Sequence, residues 1–291
     1  MLIALMLGLA QPAEAKLKVV STYPYINSLV QEVAGQDLSH KSLTSGAWDP
    51  HFIVGKPSLI LKLRRADLLI INGAQIEIGW LPPLLRQARN QHIQQGQKGL
   101  LDLSDFVTKI QVVKNVSRAG GDVHPKGNPH FYLDPQNIPK ISDAIVKRLC
   151  LLEPNACHNF QTRGQKFKQK WAKKQGQWAK RMAPLKGQKV VEYHRTHDYF
   201  LNHYGMNIIN TLEPLPGIPP TPQHLSQIIN QIKSQHIKWN IRCVYQPLGP
   251  SRLLSKRTKA TLLTLPHDVG ATSSIKNIFA LYESILKGFG V

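Results

Sequence analysis

Short apolar runs and helical periods alternate along most of this chain. Residues 17–22 (LKVVST) are β-branched and apolar and predict a strand, and 25–34 carry the 3–4 spacing of a helix that Gly35 ends. A second strand is expected over 38–44, and a helix over 57–65 with Pro57 in its first turn. The run 67–73 (DLLIING) predicts a buried strand that stops at Gly73. A helix over 76–88, interrupted at Pro82-Pro83, and a short strand over 99–103 close this part. Such βαβα alternation predicts a parallel sheet with helices on its faces.

Residues 104–133 break the pattern and are rich in loop formers, including Gly120-Gly121, Pro125, Gly127 and Pro129. A loop of that length inside a domain is often functional. Helical spacing returns over 138–152, and Pro154 opens a long polar helix to about 182 that runs through Gly164 and Gly176. The alternation then resumes: strands over 189–193, 208–212, 241–246 and 261–265, and helices over 197–204, 223–235, 251–259 and 274–287, with a proline-rich turn at 214–222. The expected architecture is α/β, with two lobes, each a mainly parallel sheet flanked by helices, joined by one long backbone helix. The expected division is 16–153, the linking helix 154–184, and 185–291. Open α/β sheets bind ligands beyond the carboxyl ends of their strands, so two facing lobes would share a cleft.

Composition changes this picture at two points. Of the 291 residues, 42% are hydrophobic and 19% charged, which excludes wholesale disorder. Lys and Arg number 37 against 17 Asp and Glu, a net charge of +20, which by itself suggests an anionic partner. The N-terminus argues otherwise. Residues 2–10 (LIALMLGLA) are too short to span a bilayer, which takes about 20 residues. They precede Ala13-Glu14-Ala15, the small-residue pattern of a secretory signal cleaved after Ala15, although no Lys or Arg precedes the run. A buried N-terminal strand is the alternative. No Cys at the cleavage site specifies a lipid anchor. A periplasmic protein seldom meets nucleic acid, many cations fall in the helical stretch 163–189, and no aromatic-interleaved basic motif occurs, so nucleic-acid binding is not expected. In an oxidising compartment the three Cys allow one disulfide, most simply Cys150–Cys157; three free thiols are the alternative.

Three of the twelve His fall just past expected strands or loops on the cleft side. His51 follows Trp48-Asp49-Pro50, His130 follows Asn128-Pro129, and His194 follows the strand ending in Tyr193. Imidazole is a good Zn(II) ligand, and three His with a fourth donor make a tetrahedral site. A proline before His51 and before His130 stiffens the backbone there.

These residues sit in a longer series of motifs. Asp49-Pro50-His51 is followed by Pro57-Ser58, by Arg65-Ala66-Asp67-Leu68-Leu69-Ile70-Ile71-Asn72-Gly73 and by Glu77-Ile78-Gly79-Trp80-Leu81. Then come Asn128-Pro129-His130-Phe131-Tyr132-Leu133-Asp134-Pro135, Tyr193-His194, Glu213-Pro214-Leu215-Pro216-Gly217 and Leu265-Pro266-His267-Asp268-Val269-Gly270. In this order they resemble the periplasmic zinc- or manganese-binding component of metal-uptake ABC transporters, over essentially the whole chain after residue 15. The resemblance implies two lobes on a rigid helix, a divalent metal in the cleft, and delivery to a membrane permease; we expect a monomer and no enzymatic activity. It implies His51, His130 and His194 as ligands, with Asp268 as a fourth and Glu77, His267 or water as alternatives. A His at the third position favours Zn(II) over Mn(II) as the transported ion. His197 reads as a packing residue.

The long His-rich acidic loop of many zinc binders is reduced here to Asp122 and His124, so Gly121-Asp122-Val123-His124-Pro125 is at most a transient second site. Two other readings compete with this one. A zinc hydrolase would need an open coordination position and a general base, for which Glu77 or Asp268 would have to serve, and no His-Glu-x-x-His helix is present. An exported adhesion or interaction protein could use the same fold.

Overall fold

Eight strands form two four-stranded sheets, all parallel, in a computed structural model that describes residues 16–113 and 124–291. The expected leader and Asp122 lie outside those residues. The first sheet runs β2-β1-β3-β4, with β1 (Lys18–Ser21), β2 (Ser39–Ser42), β3 (Leu68–Ile71) and β4 (Leu100–Asp102). Val19 of β1 lies between His40 of β2 and Leu68 of β3. Helices α1 (Pro24–Ala34), α2 (Pro57–Arg64) and α3 (Leu81–Ala88) connect these strands. The central strand β3 reads Leu-Leu-Ile-Ile because helices cover both faces of a parallel sheet.

After α4 (Asn137–Leu152) comes α5 (Cys157–Met182), and then the second sheet. It repeats the same order as β6-β5-β7-β8: β5 (Lys189–Glu192), β6 (Asn207–Thr211), β7 (Trp239–Cys243) and β8 (Thr261–Leu265). Helices α6 (Asp198–His203), α7 (Pro222–Gln235), α8 (Leu248–Arg257) and α9 (Ile278–Gly288) flank it.

Helix α5 is polar overall but buries one stripe: Phe160, Gly164, Phe167, Trp171, Trp178 and Met182. The 3, 4 and 7 spacings place these on one face. Trp171 donates to the Pro135 carbonyl at 2.9 Å, and Trp178 stacks on Tyr282 of α9 with ring centroids 5.0 Å apart. The stripe joins residues of both sheets into one hydrophobic core running from Val19 to Phe289. Gly164 persists inside the helix because α4 crosses there: a Cβ on it would lie 2.8 Å from Val146 Cγ2. The Cys150–Cys157 disulfide ties the end of α4 to the start of α5, and Cys243 is a buried free thiol.

Several expected elements are shifted, α8 among them (Leu248–Arg257 instead of 251–259), and three show the reason. Helix α3 starts only at Leu81, because Ala74 and Gln75 take positive φ and residues 74–80 form turns closed on the Glu77 carboxylate. Strand β7 occupies Trp239–Cys243 instead of 241–246, since the Gln246 side chain turns back to accept from the Cys243 N–H at 2.7 Å. Helix α9 begins at Ile278, four residues later than expected, where Asn277 caps it by accepting from Ala280 N–H.

Candidate metal centre

All strands being parallel, their carboxyl ends face the same way within each lobe. The loop after β2 carries His51, the loop before the turn Phe131–Leu133 carries His130, and the end of β5 leads into His194. Among the described residues, these three are the group whose donor atoms, one per residue, all lie within 4.8 Å of one another. Their ring centroids are 5.1 to 5.8 Å apart and their planes are steeply inclined, at 70 to 90°. Zn–N bonds of about 2.0–2.1 Å at tetrahedral angles require N···N separations near 3.3 Å. An ion would therefore draw the rings together only slightly.

Two of the three rings are fixed from behind. His51 Nδ1 donates to Asp49 Oδ1 at 3.0 Å, and His194 Nδ1 to Glu213 Oε2 at 2.7 Å. With Nδ1 so engaged, each Nε2 lone pair is left for the site, the arrangement in which a carboxylate orients a metal-binding imidazole. His51 Nε2 and both ring nitrogens of His130 are buried without a partner. Unpaired buried nitrogens on two converging rings are costly unless something binds there.

His130 owes its place to its neighbours. Its N–H donates to Asn128 Oδ1 at 2.9 Å, the preceding Pro129 carbonyl accepts from Asn72 Nδ2, and Asn72 Oδ1 accepts from Tyr25. Asn128 also donates to the Arg195 carbonyl across the cleft, while Tyr199 donates to the Asn128 carbonyl at 3.0 Å. Burial and the neighbouring His51 and His194 hold His130 well below the ordinary imidazole range. At His194 burial opposes charge, but Glu213, Asp49 and Glu192 outweigh it and raise its pKa.

The other candidates have different employment. Glu77 is buried and accepts from Thr22 Oγ1, Asn72 N–H and Gly73 N–H; burial pushes it up to about 7. Asp268 accepts from its neighbour Val269 N–H at 2.6 Å and from the backbone of Tyr25, in the first turn of α1; burial raises it well above the carboxylate range. It caps a helix of the opposite lobe. His267 is bonded through Nε2 to the Trp48 carbonyl, and burial pushes it down to about 3. The structure thus leaves Glu77, Asp268 and His267 outside the three-histidine group. His197 is a packing residue, as expected, held between Glu192 and the Pro266 carbonyl. His124 stacks on His51 with centroids 5.4 Å apart, and with His130 and His194 it lines a cavity of about 200 Å³.

Asp49, Glu213, Asn72 and Asn128 were present in the sequence motifs, but nothing marked them as supports for the rings. An acid or amide near a His in sequence has no assigned direction until the loop is folded. For Asp49, two residues before His51, the spacing itself was the available signal.

Two parallel-sheet lobes gathered on one long helix, with convergent histidines where they meet, define the class of two-lobed α/β solute-binding proteins that the sequence resemblance implied. The model of the ZnuA family, described as zinc-uptake complex component A, periplasmic, matches residues 19–268, and the chain belongs to that family. It is 24% identical over 259 residues to the high-affinity zinc uptake system protein ZnuA of Yersinia pestis, covering 84% of this chain and 80% of that one. It is 21% identical over 227 residues to the manganese ABC transporter substrate-binding lipoprotein PsaA of Streptococcus pneumoniae, covering 76% and 70%. A crystal structure of ZnuA superimposes with a TM-score of 0.77 at 20% identity, over 94% of this chain and 98% of the other.

Proposed function

We propose that this chain captures one divalent transition-metal ion, zinc in preference to manganese, and hands it to the membrane permease of an ABC importer. The observation that carries the reading is the convergence of His51, His130 and His194 on one point, two of them backed by carboxylates. Three neutral nitrogen donors suit zinc better than manganese, which favours oxygen ligands. The fourth position opens on the cavity beside His124, and water or His124 supplies it better than Asp268 or Glu77, whose oxygens are bound elsewhere. The same observation argues against a hydrolase, since those two carboxylates were its candidate bases. The mature chain acts as a monomer in the periplasm after cleavage behind Ala15. Among the described residues no helix is long and apolar enough to cross a membrane.

Elemental analysis of the purified protein, followed by zinc titration after stripping, tests this. One zinc per chain, retained against excess manganese and lost in a variant carrying His51→Ala, His130→Ala and His194→Ala, is the expected result. Unchanged binding in that variant would remove the site. Displacement of zinc by manganese would assign the chain to the other cargo.

A further inference from the structure

Residues 214–267 contain seven Lys and Arg and not one Asp or Glu. Of these, Arg242 is buried and donates to the carbonyls of Val244 and Gln246. Most of the rest gather at one place. Lys233, at the end of α7, Lys238, before β7, Lys256 and Arg257, in the last turn of α8, and Lys259, between α8 and β8, line a single concavity of about 680 Å³. All five are exposed, and among the described residues none of them forms an ion pair with a carboxylate. Cations at helix C-termini are ordinary, since they oppose the helix dipole, but that explains one or two per helix and not five around one hollow.

The cations of α5 behave differently. Arg163 pairs with Asp37, Lys168 with Asp143, and Lys174 and Arg181 with Glu283. Lys170 lies over the Phe279 ring, 4.3 Å from its centroid, and the other lysines of that helix, Lys166, Lys173 and Lys180, lie on its exposed face and line none of the cavities described above. Position matters as well. The concavity is at the amino ends of β7 and β8, whereas the histidine site is at the carboxyl ends of the strands, so the two lie at opposite ends of the second lobe.

We propose that this concavity binds the phosphate headgroups of an anionic lipid surface. Five uncompensated cations on flexible stems match a layer of phosphates, and each such residue near an anionic membrane strengthens binding roughly fivefold. Leu253, exposed on α8 one turn before Lys256, adds an apolar contact beside the charges. Nucleic acid is the poorer match, because no Phe, Tyr or Trp lines the hollow for bases to stack on; Trp239, beneath Lys238, is buried. Docked in this way, the molecule turns its histidine cleft away from the lipid, so handing the ion to a permease in that membrane requires release from this contact.

The test is co-sedimentation of the full chain with phosphatidylglycerol vesicles, against phosphatidylcholine vesicles, at low and physiological salt. Two variants of equal charge are compared: Lys233→Gln with Lys256→Gln and Lys259→Gln, and Lys166→Gln with Lys173→Gln and Lys180→Gln. The first should lose at least about tenfold in affinity for the anionic vesicles and the second no more than about threefold. Zinc titration of both variants should match that of the unaltered chain, which separates this site from the histidine centre. Equal losses in the two variants would mean that net charge alone acts, and would overturn the proposal. So would release from the vesicles by millimolar inorganic phosphate, which would assign the hollow to free phosphate, or tighter binding to a short DNA duplex than to vesicles.

Discussion

Asp49 and Glu213 illustrate how much of a binding residue's behaviour is decided by what stands behind it. Each accepts the Nδ1 proton of a site histidine and so fixes both the ring's tilt and the nitrogen it offers. Asp49→Asn and Glu213→Gln keep the shape and remove the charge. Each should weaken zinc binding roughly 10- to 100-fold, measured by competition with a chelator, with the circular dichroism spectrum unchanged. Affinity unaltered in both would show that the rings are placed by packing alone. At this scale His51, His130 and His194 stood out in the sequence, because each follows a proline or closes a strand, and the structure brings the three together. It also pointed to Asp268 and Glu77, and in the structure both carboxylates accept from backbone N–H groups. Those N–H groups become neighbours only on folding, so no local pattern records them.

Among the elements, α5 carries two glycines in opposite circumstances. A Cβ at Gly164 meets Val146 of α4 at 2.8 Å, whereas one at Gly176 meets nothing within 4 Å. Gly176→Ala should therefore stabilise the protein by roughly 0.5–1 kcal/mol through helix propensity. Gly164→Ala should cost about 1–3 kcal/mol, because the helices must separate. Urea unfolding of the two variants gives the comparison, and shifts of the same sign would refute the crossing as the reason for Gly164. The α5–α9 contact supplies a pH signature. Although burial works against it, the Glu283 carboxylate, held by Arg181, Trp178 and Lys174, is lowered to about 2. A depressed folded pKa contributes stability above the ordinary carboxylate value of 4.5 that is lost as pH falls towards 2. Glu283→Gln should flatten the acid limb of stability against pH over that interval; an unchanged limb would show that the cluster contributes nothing measurable. Existence and order of the strands and helices were legible from hydrophobic period. The boundaries that moved, at Leu81, Cys243 and Ile278, were set by side chains turning back on the backbone, which periodicity does not record.

At the scale of the molecule, the two lobes meet with little room to spare. Gly46 of the first lobe lies so close to the second that a Cβ on it would be 1.9 Å from the Val269 carbonyl oxygen, and Asp268 caps the first helix of the opposite lobe. Gly46→Val should lower stability by roughly 1–3 kcal/mol and weaken zinc binding as well, since His51 is five residues along the same loop. A normal unfolding midpoint with normal zinc affinity would show that the approach is easily relaxed. The sequence implied two lobes and a connecting helix, but not this contact, because residues more than 200 positions apart leave no local pattern. The core that runs unbroken from Val19 to Phe289 has a further consequence. Two bodies sharing one interior have no wide swing available to them, so the dwell time of a captured ion would be governed by the rupture of bonds at three imidazoles. A receiving channel would then have to extract its passenger by offering competing donors, ligand by ligand, rather than wait for a jaw to fall open.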